Sequence, residues 1–393
     1  MAPPPDGGLP HAAGDGTQET HQDLKALLGA WALGACSPAE AARVEAHLDD
    51  CAPCATEAAG FEDAVALLEP PRGLDLDPGL RGRVIADCLA RRPADLPVPS
   101  WAAPLDAEAA RLDALLHDMA EDEWDSHVEL SWYEADHLRR MPTTVGGVLD
   151  HLLAADSLLA RLVGLPDPLA DGPGAPPDPV SRTLLLWSGK GGDAWRPWRR
   201  QTRALVRAAA GTGGRAGERT VPAARYSDPH LFPGRADIAL SDMYLDRAFA
   251  CWTHADDIAG AVDYPYDGPE GPHLRLLVDL AARRLPGSVA RRRRAGLAAS
   301  PARLLPAGRP GRTLHLEVEG PGGGDWYIPV DSPDLAVGRA AAREAVAHVA
   351  LEDVVFCRLA AGRIHPEEAP SGETGDEAVI RDVLFAAAGL SRL

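Results

Sequence analysis

Lysine is nearly missing from this chain. Lys25 and Lys190 are the only two, so almost all of the 39 basic residues are arginine. Beside so much Ala, Gly, Pro and Asp, this reads as coding bias rather than chemistry. Positive charge is in deficit altogether, with 39 basic against 58 acidic residues and a formal net charge of −19. A field of that sign argues against nucleic acid or an anionic membrane as the main partner, while leaving room for a protein with a basic surface. No apolar run approaches the ~18–20 residues needed to span a bilayer. Residues 1–16 are rich in Pro and Gly and lack a basic n-region and an apolar core, so no secretory signal is expected. Six cysteines at 36, 51, 54, 88, 251 and 357, with only Cys51 and Cys54 close together, do not make a disulfide framework. The expectation is a soluble, cytoplasmic protein in a reducing compartment, with no internal repeat.

What is present is apolar periodicity. Hydrophobic residues make up 46% of 393 positions, enough for two or three packed domains. Residues 1–17 read as disordered. Leu24, Leu27, Leu28, Trp31 and Leu33 mark a first helical stripe. Ser37-Pro38-Ala39-Glu40 has the form of a capping box that opens a second helix. A third helix runs to about Leu68 and a fourth from Pro78 to Ala90, giving a helical domain over 18–92. A Pro-rich linker follows at 93–105. Residues 106–298 read as a helical bundle, with main helices near 105–119, 143–162, 195–210 and 238–262 and one more over 270–298. A loop carrying Trp124 and Trp132 is expected between the first two. Residues 308–393 change character, with strand alternation at Thr313–Glu319 and Trp326–Val330, a further strand at Val346–Leu351, and two helices. The fold class is therefore mostly α with a small α+β C-terminal domain.

The densest chemistry is His47-Leu-Asp-Asp-Cys51-Ala-Pro-Cys54, an H-x3-C-x2-C pattern. His47 and Cys51, four apart, share a helix face, and Cys54 follows one turn later. Three such donors suit tetrahedral Zn²⁺ and leave one corner open, for which His21 and Cys36 are the candidates. The run from His21-Gln-Asp-Leu through Trp31-Ala-Leu-Gly to the triplet resembles the zinc-binding anti-sigma factor domain. In that family the fourth ligand lies about one helix upstream, which selects His21. The resemblance implies a closed, structural zinc held by His21, His47, Cys51 and Cys54, and a sigma factor as protein partner. It leaves Cys36 as a packed or redox-responsive thiol. Oxidation of the thiolates could release the metal as a redox switch.

Further on, His151 lies in Gly147-Val148-Leu149-Asp150-His151-Leu152 and His254 in Arg247-Ala248-Phe249-Ala250-Cys251-Trp252-Thr253-His254-Ala255-Asp256-Asp257-Ile258. These segments resemble the DinB-like, mycothiol-dependent maleylpyruvate isomerase family, whose bundle sets a His on its second helix against a Glu-x3-His pair on its fourth. The resemblance implies a second divalent metal at His151 and His254, with mycothiol as a thiol cofactor. Ala250 stands where that family has its Glu, and Asp257 and Asp150 are the nearby carboxylates that could substitute. Two functions follow. One is a zinc-containing regulator that sequesters a sigma factor, with the bundle as a metal or thiol sensor. The other is a mycothiol-dependent isomerase or S-transferase with a regulatory zinc module, a reading that the missing Glu weakens.

Weaker signals have plainer accounts. Gly189-Lys190-Gly191-Gly192 lacks the spacing of a phosphate loop. The run Arg291–Arg294 reads as a solvated helix end. Trp195-Arg196-Pro197-Trp198-Arg199-Arg200 reads as the start of a packed amphipathic helix, and His11, His117, His127 and His137 as surface residues.

Overall fold

A computed structural model describes residues 21–68, 78–91, 97–169, 176, 178–189, 194–223, 236–299, 311–332, 337–338 and 345–391. The expected disorder of residues 1–17, His11 and the Lys190 loop fall outside them. The chain divides into two compact units, residues 1–94 and 95–393. Among the described residues no helix is long and apolar enough to cross a membrane.

The first unit holds α1 (His21–Ala32), α2 (Pro38–Asp50), α3 (Ala52–Leu68) and α4 (Pro78–Arg91). The capping box at the head of α2 is present: Ser37 Oγ accepts from the Glu40 amide, and Glu40 takes the Ser37 amide at 2.8 Å. Those bonds also hold the Glu40 carboxyl below its ordinary pKa. Cys51 ends α2 in an extended conformation, and α3 begins at once with Pro53 in its first turn, where a missing N–H costs nothing. The first three helices pack on one another. Their buried core is small, consisting of Leu28, Val44, Cys54 and Ala58 with Leu24, Leu27, Trp31 and Leu48 around it. A core of that size calls for a staple.

The second unit is a four-helix bundle joined to an α+β layer. Helices α5 (Ala103–Asp118), α6 (Val145–Leu162), α8 (Trp195–Thr212) and α9 (Leu240–Ala261) pack in a ring, α5 on α9, α9 on α6, α6 on α8 and α8 on α5, while α7 (Pro179–Ser188) lies on α6. The expected loop at Trp132 is instead a hairpin, β1 (His127–Glu134) and β2 (His137–Thr144). Ala135 and Asp136 both take positive φ, 49° and 66°, which gives the two-residue turn that matches strand twist. Val128, Leu130 and Tyr133 face inward from β1, whereas β2 is mostly exposed, so its apolar alternation is faint. A short pair, β3 (Thr220–Pro222) and β4 (Asp237–Ala239), precedes α9.

Helix α10 (Gly271–Arg294) packs against α9 on one side and the C-terminal layer on the other. That layer has a four-stranded sheet in the order β6 (Gly324–Pro329), β5 (Thr313–Glu319), β7 (Ala347–Glu352), β8 (Gly372–Gly375). The β5–β7 pair is parallel and the others are antiparallel. Helices α11 (Asp353–Ala360) and α12 (Glu377–Ala388) cover it, and one continuous apolar core runs from the bundle into the sheet. Of the arginine run at the end of α10, Arg294 is exposed as expected, but the other three are not a solvated helix end. Arg291 donates to the Gly389 carbonyl, Arg292 is buried against Asp136, and Arg293 pairs with Asp331 at 3.0 Å. These three guanidiniums meet a carbonyl or carboxylate of the β1–β2 turn or the C-terminal layer, so they tie α10 to both.

Candidate metal centres

The α2–α3 junction and the start of α1 bring four donors together. One ligand atom each from His21, His47, Cys51 and Cys54 lies within 4.8 Å of the others. His21 Nδ1 is 3.1 Å from His47 Nε2, and the Cys51 and Cys54 sulfurs lie 3.8 and 3.9 Å from His21 Nδ1. Donors around a tetrahedral zinc stand about 3.3–3.8 Å apart at ordinary Zn–N and Zn–S lengths. The donor set, two imidazoles and two thiols, therefore fits that ion. Burial and the neighbouring Cys51 raise the Cys54 thiol pKa, a cost that a bound cation would offset. Lys25 and Glu57 pair at 2.7 Å between α1 and α3. Cys36 is not part of the cluster, and its sulfur lies 3.9 Å from the Leu27 carbonyl.

In the bundle, His151 of α6 and His254 of α9 are both buried and meet edge to face, with ring centroids 5.0 Å apart. Each ring is held from behind. Thr183 of α7 gives its hydroxyl proton to the Pro179 carbonyl at 2.9 Å, so its oxygen is left to accept from His151 Nδ1 at 3.0 Å. His254 Nδ1 donates to Asp257 at 3.0 Å. This network assigns the proton of each ring to Nδ1 and leaves both Nε2 lone pairs unprotonated. Burial drives the His151 pKa well below its ordinary value, helped by the charges of His254, Arg247 and Arg363. Burial lowers His254 as well, against the pull of Asp257.

Asp257 is committed elsewhere. Arg363 grips it with two nitrogens, one at 2.9 Å, and donates a further bond to the Ser131 carbonyl. Burial alone would raise the Asp257 carboxyl, but Arg363 and His254 hold it below the usual range. The position of Arg363 is set by the end of α11. Gly362 takes φ +71°, its amide bonds Leu359 O at 2.9 Å, and the Arg363 amide bonds Arg358 O at 2.8 Å, the two bonds of a Schellman cap. A Cβ at Gly362 would lie 3.0 Å from Trp132 Cα, so glycine is required by contact as well as by angle.

A cavity of about 80 Å³ opens at this point, lined by both histidines, Ala250, Arg247, Arg284 and Arg363. Asp246 partners Arg247 at 2.7 Å and Arg284 at 3.1 Å. Buried Asp156 lies 3.8 Å from Arg247, and burial lifts its carboxyl to about 7. Among the described residues no third His, Cys, Asp or Glu donor joins His151 and His254. Ala250 presents only a methyl group to the cavity, and Asp150 does not line it. Arg363 and Thr183 carry no local sequence signal and were not foreseen as site residues. His117, His127 and His137 are exposed, whereas Trp198 is buried, as a packed helix start requires.

Comparison with known proteins adds two findings. The chain has a match among solved structures to a crystal structure of a histidine-to-alanine mutant of the mycothiol-dependent maleylpyruvate isomerase, at 18% identity and a TM-score of 0.39, over 72% of this chain and 95% of that one. No curated protein matches. Residues 22–55, which carry His47, Cys51 and Cys54, match the model of the family described as "Putative zinc-finger".

Proposed function

We propose that the protein is a zinc-dependent regulator whose N-terminal unit sequesters a sigma factor, and that it works in the reducing cytoplasm. The carrying observation is the four-donor cluster. His21, His47, Cys51 and Cys54 would fill all four positions of a tetrahedral ion, which leaves none for substrate and makes the metal structural. A zinc there would staple α1 to the α2–α3 junction around a core too small to stand alone. The same unit exposes Phe61, Leu67 and Leu68 on α3 and Val84 and Ile85 on α4, an apolar surface suited to a protein partner. The bundle would then serve as a sensor of a thiol or a metal, through the cavity at His151 and His254.

Metal counting on the full-length protein tests this. One zinc per chain is expected, lost in Cys51→Ser and kept in His151→Ala, together with retention of a sigma factor under reducing conditions. Zinc content unchanged by Cys51→Ser, or no sigma factor retained, would overturn the reading.

A second reading has its own observation. The two Nε2 lone pairs facing an arginine-lined cavity could hold a second divalent metal or accept a substrate proton, as a mycothiol-dependent isomerase or S-transferase would require. Thiol-dependent turnover lost in His254→Ala would favour it. With Ala250 in place of a carboxylate, only two protein ligands are on offer, which is why the regulator reading is preferred.

A further inference from the structure

The walls of the cavity at His151 and His254 combine two kinds of polar group. The first kind only accepts. With Nδ1 of each ring given to Thr183 or Asp257, both histidines offer Nε2 lone pairs to one space, their ring centres 5.0 Å apart. The second kind only donates. Arg247 and Arg284 enter from α9 and α10, and Arg363 from just past the end of α11. The charges of Arg247 and Arg363 act on both imidazoles, so rings and guanidiniums surround the same space.

Positive charge is in excess there. Among the described residues Asp246 is the one carboxylate in the lining, and it serves two guanidiniums, Arg247 at 2.7 Å and Arg284 at 3.1 Å. Asp257 balances Arg363 from behind. Asp156, 3.8 Å from Arg247, is lifted to about 7 by burial and is half protonated near neutrality. A divalent cation would meet this excess with only two protein ligands in return. An anion with no hydrogen to give would satisfy the arginines but set its own lone pairs against both Nε2 atoms. A neutral alcohol would satisfy the histidines and leave the charge unmatched. A ligand that joins a carboxylate to an adjacent hydroxyl meets both demands. Size narrows it further, because about 80 Å³ is roughly half of the ~150 Å³ that encloses a benzene ring. Phe249, Ala250 and Leu280 give a short carbon chain an apolar wall.

We infer that this cavity binds a small 2-hydroxy acid of about two or three carbons, its carboxylate toward Arg247 and Arg284 and its hydroxyl donating to His254 Nε2. His254 is the stronger acceptor of the pair, because Asp257 holds its other nitrogen. The inference goes beyond the regulator reading and uses neither the zinc cluster nor a second metal.

An NMR titration of the full-length, zinc-loaded protein with isotope-labelled histidine tests it, with glycolate and acetate as probes. Saturable movement of the His254 Nε2 resonance is expected with glycolate, and acetate should bind at least about ten-fold more weakly. His254→Phe should bring the two acids within about three-fold of each other. Ala250→Glu, which sets a carboxylate in the wall one turn before His254, should weaken glycolate at least about ten-fold. No saturable shift, equal affinity for the two acids, or wild-type glycolate affinity in both variants would overturn the inference. Zinc content and sigma-factor retention stand outside all of these outcomes, so a failure here leaves the regulator reading in place.

Discussion

His254 and Asp257 stand one turn apart on α9, and their side chains meet at 3.0 Å. The same carboxylate is the anchor of Arg363, so one buried negative charge orients an imidazole and neutralises a guanidinium. Removing that charge while keeping the shape should show both roles. In Asp257→Asn the His254 pKa is expected to fall further, because the carboxylate is what holds it up. Arg363 would be left buried without its anion, at a cost of about 2–4 kcal/mol. Histidine NMR titration and a denaturant melt check the two effects, and an unchanged His254 would show that Asp257 does not orient it.

Glu108 supplies a pH dependence. It is buried on α5 with Arg111 at 2.9 Å, yet burial outweighs that partner and lifts its carboxyl to about 7. A folded-state pKa above the unfolded value means that the native state binds the extra proton. Stability is then lost as pH rises from the unfolded carboxyl range through about 7. Glu108→Gln should remove this contribution, so the variant should gain on wild type by an order of 1–3 kcal/mol at pH 8 compared with pH 4.5. Paired chemical melts across that range decide it, and parallel curves would count against it.

Gly362 gives a backbone test. Alanine there must adopt φ +71° and set a methyl group 3.0 Å from Trp132 Cα. Gly362→Ala should destabilise by about 1–3 kcal/mol and shift Arg363 off Asp257. A melting temperature equal to that of wild type would show that the hairpin can yield.

Metal removal should act on one unit only. If zinc staples residues 21–60, a chelator should raise amide exchange across α1–α3 while α5, α6, α8 and α9 keep their protection. Uniform exchange through both units would contradict the independence of their cores.

Legibility in the sequence follows the range of the interactions. The zinc quartet could be read because three of its members lie within eight residues and the capping box beside them is local. The long bundle helices were equally plain from their apolar period. The β1–β2 hairpin is not legible because β2 has no buried residue, and Leu138, Met141 and Pro142 do not alternate with its polar residues. The Arg291–Arg293 contacts were misread because their partners, Gly389, Asp136 and Asp331, come from distant parts of the chain. The same holds for Arg363, which lies 106 residues from Asp257.

The Schellman turn at Gly362 means that the bundle is not a separable part. Its histidine cavity is finished by Arg363, delivered from the end of α11 within the C-terminal layer, so a chain cut after α10 would lose a wall and its charge balance together. Any signal that loosened the sheet from the bundle would be felt first at Asp257, as an unmatched negative charge 3.0 Å from an imidazole. In that sense the C-terminal layer acts as the keystone of the cavity, and insertions or truncations there should be read as mutations of the site itself.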